Sequence, residues 1–221
     1  MTTHFADELG KVKEALLTMG SYAETAVAQA VQSVTERNEG LAEQVQSNDD
    51  IIDRYEKDID DMAILLLAKA PLATDLRLVT VAMKISQNLE RIGDEATTIA
   101  RRSVKLNTEP KLPQPFDVPQ MAALALEMLR DSLDAFVNRD ADKARAVVPR
   151  DKEVDNLNRR IYRELCALME ENPPAIGRCL HLMTISKSLE RVADHATNIA
   201  QEVVYLCEAL DIRHEGNVPP R

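Results

Sequence analysis

Apolar residues recur at intervals of three and four almost from end to end of the chain, and proline and glycine fall where that pattern breaks. The first periodic stretch covers about residues 5–37 and gives way to a turn at Asn38, Glu39 and Gly40. A second covers about residues 41–70, with Lys69 in its last turn and Pro71 as its stop. A third opens near Thr74 or Asp75, either of which suits an N-cap, and continues to about Leu106. The segment NTEPKLPQPFDVP, residues 107–119, then places four prolines within ten residues, which excludes a helix and predicts a stiff, extended connection. After it the pattern restarts: residues 120–138, a turn at Arg139 and Asp140, residues 141–171, a break at Pro173 and Pro174, and residues 175 to about 210. The predicted fold class is all-α, with two tandem three-helix bundles. The first repeat takes residues 1–110, a proline-rich linker 111–119, and the second repeat 120–221 with a short C-terminal tail.

The halves share more than a helix count. A shift of one hundred residues lays MKISQNLERIGDEATTIARRSVKL on MTISKSLERVADHATNIAQEVVYL, with Met83, Ile85, Ser86, Leu89, Glu90, Arg91 and Asp94 each matched. Internal duplication explains this, and pseudo-symmetry between the bundles follows. Each third helix also carries a heptad-like apolar stripe. In one it is Leu78, Ala82, Ile85, Leu89, Ile92, Ala96 and Ile99; in the other Leu182, Ile185, Leu189, Val192, Ala196, Ile199 and Val203.

The repeated carboxylates fall off that stripe. At about 100° per residue, Glu90 and Asp94 lie on the side of the helix opposite the core, and their spacing of four brings the two side chains together. Like charges so placed weaken an isolated helix by a few tenths of a kcal/mol, so helix stability does not explain writing the pair twice, as Glu90/Asp94 and Glu190/Asp194. The second helix of each half has a matching pair, Asp49 with Asp53 and Asp151 with Asp155. Antiparallel packing of second and third helices would gather four carboxylates per half.

Composition narrows the chemistry. Only 3% of the 221 residues are aromatic and none is Trp, so the 45% hydrophobic content must build its core from Ala, Leu, Ile, Val and Met, as helix-on-helix packing does. A net charge of -10 repels phosphate backbones and the anionic inner leaflet, which speaks against a direct nucleic-acid partner. Cys166, Cys179 and Cys207 form no CxxC pair and read as reduced core thiols. The N-terminal residues lack the basic-then-apolar plan of a signal peptide, and the longest apolar run is interrupted by Lys69 and Pro71, so a cytoplasmic location is expected.

Oxygen-only ligands from two helices suit hard or intermediate cations such as Mg, Mn, Ca or ferric iron. The alternative is a solvated, salt-bridged face, for which Arg91, Arg191 and Arg101 supply the cations. There is no Gly-rich phosphate loop, G-x-S-x-G, H-E-x-x-H or cysteine cluster, which disfavours an NTPase, a hydrolase and a zinc protease. His195 follows Asp194 directly and points off the acidic face, as a surface or interhelical residue; His4, His181 and His214 lack companions for a ligand set.

The doubled L-E-R-[IV]-x-D-x-A-T-x-I-A, the P-L-A-T-D-L-R at residues 71–77, the D-x-x-[IV]-D of each second helix and the opening HFADELGKV together resemble the PhoU family, accessory regulators of bacterial high-affinity phosphate transport. The resemblance implies two pseudo-symmetric three-helix bundles, often a homodimer, with multinuclear metal clusters at the acidic motifs. Iron is the metal in some members; Mg, Mn or Zn are the alternatives. Carried over, the metal positions are Asp49, Asp53, Glu90 and Asp94, then Asp151, Asp155, Glu190 and Asp194, and all eight are acidic here. The resemblance further implies a non-enzymatic negative regulator of phosphate uptake and of the starvation response. It would act through the ATPase subunit of the phosphate ABC transporter and a sensor histidine kinase, reaching the inner membrane only through those partners. The second half departs from the pattern where P-A-I-G-R-C-L stands for P-L-A-T-D-L-R, so a partner surface using Asp75 and Arg77 would exist in the first half alone. A carboxylate-bridged metalloenzyme, an oxidase or phosphatase, is the competing reading.

Overall fold

The computed structural model describes residues 2–69 and 73–213, with side chains from Phe5 onward, and among them every regular element is helical. In chain order these are α1 (Thr2–Thr35), α2 (Glu39–Ser47), α3 (Asp49–Leu67), α4 (Ala73–Asn107), α5 (Val118–Asn138), α6 (Ala141–Val147), α7 (Asp151–Glu171) and α8 (Ile176–Glu208), with 3-10 turns at Val148–Arg150 and Pro173–Ala175. The stop expected at Pro71, the side chain of His4 and His214 lie outside the described residues.

The three-helix plan of each half holds with one correction: the middle helix is broken in two. In the first half the break is Asn48 (φ -94°, ψ -1°), which closes α2 by donating its N–H to the Gln44 carbonyl at 3.1 Å. In the second it is the Val148–Arg150 turn, where Pro149 has no N–H to give. Residues on both sides of each break stay buried (Ala42, Val45 and Ile52; Ala144, Val147 and Val154), so the apolar period runs through undisturbed and hides the interruption. α5 also begins at Val118, inside the expected linker, with Pro119 in the first turn where a missing N–H is harmless.

Both halves turn out of their first helix in the same way. Arg37 (φ 57°) and Arg139 (φ 51°) end α1 and α5 in left-handed backbone, a conformation costing about 1–2 kcal/mol for a residue with a Cβ. Arg37 offsets this by donating to the carbonyls of Leu106 (3.2 Å), Asn107 (2.7 Å) and Glu109 (2.5 Å), which ties the end of α1 to the end of α4. The next residues cap the short helices: Asn38 Oδ1 accepts from the Leu41 N–H at 3.2 Å, and Asp140 Oδ1 from the Lys143 N–H at 2.9 Å.

Every residue of both predicted stripes is buried. Those stripes make α4 and α8 the centre of the molecule, where they pack against each other across the two halves. They run antiparallel, because Lys84 pairs with Glu202 (3.0 Å), Asn88 with His195 (3.0 Å) and Glu95 with Arg191 (3.1 Å). α3 lies against α4 and α1, and α7 against α8 and α5, so the side-by-side order is α3, α4, α8, α7. No helix among the described residues is long and apolar enough to cross a membrane.

Candidate functional site

Each break in the middle helix leaves an aspartate as the first residue of the helix that follows, Asp49 of α3 and Asp151 of α7. Unsatisfied N–H groups and the positive end of the helix dipole favour a carboxylate there. Asp53 and Asp155 follow one turn later, and because α3 packs along α4 and α7 along α8, these pairs come beside Glu90/Asp94 and Glu190/Asp194.

The electrostatics shows how closely they gather. Burial lifts the Asp49 carboxyl above the ordinary range, and the charges of Asp53 and Asp94 push the same way. Glu90 is raised by burial, then by Asp94, with Glu56 and Asp53 adding to it. In the second half Asp151 is raised by burial, then by Asp155 and Glu190. Asp194 is pushed up to about 6, first by burial and then by Glu190 and Asp151, although its side chain still reaches solvent. In each half the four carboxylates therefore feel one another's charge. Their setting is more enclosed than the helical wheel implies: the Glu90 and Glu190 side chains are only 19% and 12% exposed, because α3 and α7 cover them.

Counter-charges are present as well. Arg91 approaches Glu90 Oε2 at 3.3 Å and Asp94 Oδ2 at 3.5 Å, Lys187 pairs with Glu190, and Arg159 stands 3.6 Å from Asp155. They leave each face with more carboxylates than cations. Thr97, buried within the first half, donates its hydroxyl to Asp49 Oδ1 at 3.0 Å and fixes that carboxylate; Thr197 occupies the matching place. Asp151 Oδ1 and the Thr197 hydroxyl are both buried and otherwise unpartnered, and against the rise from burial Thr197 lowers the Asp151 pKa as a hydrogen-bond donor does. Among the described residues no three His, Cys, Asp or Glu side chains are grouped tightly enough, as they stand, to hold one ion. An oxygen-only donor set under mutual repulsion has the chemistry a hard cation takes.

Repeat-based reading overlooks Glu56, whose carboxyl is raised by burial, then by Asp60 and Asp53. It stands three residues after Asp53 and seven after Asp49, on the same side of α3, so the spacing was legible. Its counterpart in α7 is Asn158, which accepts from the Ser186 hydroxyl at 2.7 Å, and a search for repeated acids passes over it. Other residues singled out from the sequence lie elsewhere. His195 is interhelical, its Nδ1 3.0 Å from Asn88 Oδ1, and burial holds its pKa down. Arg77 spans the seam between the halves, its guanidinium 5.7 Å from the Tyr205 ring centre and donating to the Leu206 carbonyl at 3.5 Å. Asp75 lies half-buried in the first turn of α4. Cys179 is buried, Cys166 and Cys207 are half-buried, and all three are free thiols.

The PhoU domain is matched twice in this chain, over residues 16–103 and 118–203, and each match contains one set of four carboxylates. The chain belongs to the PhoU family. It is 40% identical, over 98% of its own length and 90% of the relative's, to the phosphate-specific transport system accessory protein PhoU homolog of Pseudomonas aeruginosa. The crystal structure of PhoU from that organism superposes with a TM-score of 0.90 and covers 93% of this chain and 100% of that one. The phosphate transport system regulatory protein PhoU from Streptococcus pneumoniae, 28% identical, superposes with a TM-score of 0.87 over 94% of this chain and 99% of the other. The PhoU fold, two helical repeats in one chain, is thus shared at full length.

Proposed function

We propose that this PhoU protein restrains phosphate uptake and the phosphate-starvation response when phosphate is plentiful, as a metal-binding adaptor between the ATPase subunit of a phosphate ABC transporter and a sensor histidine kinase. The accessory and regulatory roles carried in the names of its relatives support the phosphate part. The observation that supports the adaptor part is the acidic face, built once in each half at equivalent positions. Two like faces on one rigid pair of central helices suit engagement of two partners, or of two copies of one. In this reading the protein works in the cytoplasm, as a homodimer, and is peripheral to the inner membrane through its partners.

In the first half Asp49, Asp53, Glu90 and Asp94 would hold the metal, and in the second Asp151, Asp155, Glu190 and Asp194, with iron, Mg, Mn or Zn as the ions the oxygen donors suit. A bound cation supplies positive charge that reverses the local potential of the face. The chain's own residues prepare it: Thr97 orients Asp49, and burial keeps Glu90 and Glu190 from full hydration. Arg91 and Lys187 hold the faces partly neutral until they are displaced. The metalloenzyme reading has no specific observation in its favour, because neither His nor Cys joins the carboxylates among the described residues.

The test is a starvation-promoter reporter in phosphate-rich medium, in a strain lacking its own copy. The unaltered protein restores repression; Glu90→Gln with Asp94→Asn, which keeps shape and removes charge, loses metal retention and repression together while the bundle stays folded. No restoration by the unaltered protein would overturn the regulatory role, and full repression by the substituted one would overturn the part given to the acidic face.

A further inference from the structure

We propose that the seam between α4 and α8 carries an oxyanion site at the end where α8 begins, built from Arg102, Lys105 and His181 and suited to a phosphate or phosphoryl group. The acidic faces form elsewhere, where α3 meets α4 and α7 meets α8, and no part of this site depends on the regulatory role proposed above.

The antiparallel register of the seam brings these residues together. Lys84 faces Glu202, Asn88 faces His195 and Glu95 faces Arg191. About two turns beyond Glu95 along α4 comes Arg102, and about two turns back from Arg191 along α8 comes Thr184, with His181 one turn further. Lys105 follows Arg102 at a spacing of three, so the two side chains are neighbours on one helix surface. The electrostatics puts the same groups within reach of the imidazole. Burial holds the His181 pKa down, Arg102 pushes the same way, Glu109 opposes it and Lys105 adds to the lowering. Arg102 and Lys105 are exposed and His181 is half-buried, so an anion can reach all three.

The two ends of the seam differ in what answers the cations. A shift of one hundred residues lays Lys84 on Thr184, Arg102 on Glu202 and Lys105 on Tyr205. At the first end Lys84 and Arg213 close on the buried Glu202 carboxylate, at 3.0 and 3.3 Å. At the second end an arginine stands where that carboxylate would be. Arg102 and Lys105 there make neither an ion pair nor a side-chain hydrogen bond among the described residues, and the His181 ring makes no hydrogen bond. Glu109, the carboxylate nearby, is already matched: Arg178 Nε stands 3.6 Å from its Oε2, and the rest of that guanidinium donates to the carbonyls of Pro110 (3.0 Å), Lys111 (3.4 Å) and Pro174 (3.4 Å). Two positive charges on adjacent turns are thus left without a counter-charge from the chain. The guanidinium offers a planar fork of N–H donors, the ammonium three donors and the neutral imidazole one. A phosphoryl group, with three oxygens and up to two charges, uses all of them; a carboxylate, with two oxygens and one charge, leaves one cation unanswered.

Amide chemical shifts of the full chain, in titrations with inorganic phosphate and separately with ATP, are the test. At about 10 mM phosphate, an order above a dissociation constant of about 1 mM, amides around Arg102, Lys105 and His181 should shift and saturate. Saturation by phosphate identifies the free anion as the ligand; saturation by ATP alone identifies the phosphoryl group of a nucleotide, and either upholds the site. Arg102→Gln with Lys105→Gln should weaken binding at least about tenfold. Arg101→Gln, which removes a neighbouring exposed cation whose charge acts on Asp49 instead, should leave it unchanged. Arg102→Glu with Thr184→Lys copies the Lys84–Glu202 pair into this end and should abolish binding with the fold intact. Any of three results would overturn the proposal: no saturable shift with either ligand, binding that survives the double change to glutamine, or an equal loss in Arg101→Gln.

Discussion

Gly93 of α4 makes room for Ile52 of α3: a Cβ at Gly93 would stand 2.9 Å from Ile52 Cδ1, inside contact distance. At the equivalent positions the second half has Ala193 and the smaller Val154, both fully buried. The packing of α3 on α4, and hence the meeting of Asp49 and Asp53 with Glu90 and Asp94, rests on this exchange of volume. Gly93→Ala alone gains about 1 kcal/mol of helix propensity and loses about 1–3 kcal/mol to overpacking. Combined with Ile52→Val the overpacking vanishes. A double-mutant cycle by urea unfolding should return a coupling of about 1 kcal/mol favouring the matched pairs; additive effects would show that α3 shifts freely on α4.

Across the seam, the Glu95 side chain is 13% exposed and one of its oxygens, Oε2, is buried without a hydrogen bond. Its ion pair with Arg191 at 3.1 Å is what makes that burial tolerable. Arg191→Ala should therefore cost about 1–3 kcal/mol, more than a surface pair is worth, and Glu95→Gln in the same chain should recover most of it. Thermal unfolding of the two single variants and the double variant checks this.

The Asp194 carboxyl titrates near about 6 in the folded chain, against an ordinary 3.8. Between those values the folded state binds more protons than the unfolded one. The carboxyl thus contributes stability that is fully present below pH 3.8 and is lost as pH rises through about 6. In chelator-treated protein, Asp194→Asn should stabilise by about 1 kcal/mol at neutral pH, a value discounted because the side chain reaches solvent, and by nothing near about pH 4. Urea midpoints at the two pH values measure the difference. An equal gain at both would assign it to something other than charge.

Mn titrated into metal-free protein should raise the unfolding free energy by about 2.7 kcal/mol at a hundredfold excess over the dissociation constant. Thr97→Val removes the hydroxyl that holds Asp49 Oδ1 at 3.0 Å and should weaken Mn binding about tenfold, with Thr97→Ser close to the unaltered protein. Calorimetric titration of the three proteins separates orientation from packing, since valine and threonine have nearly the same shape.

The duplication, the all-α class, both core stripes and the pairing of carboxylates along each helix were legible in the chain because a helix of fixed period converts spacing into direction. Glu90 with Asp94, or Asp49 with Asp53, must share a side whatever else the protein does. The breaks at Asn48 and Pro149 were not legible, since the apolar period continues through them and only backbone hydrogen bonding records the interruption. What depends on two helices meeting belongs to the tertiary structure alone. Packing against α3 and α7 encloses Glu90 and Glu190, and burial, then neighbouring charges, raise Asp49 and Asp194. Glu56 enters the first face while Asn158 takes its place in the second, and Arg77 lies against Tyr205 across the seam. Periodicity fixes which way a side chain points from its own helix; the helix it then meets is chosen by the volumes that fit, as Gly93 admits Ile52.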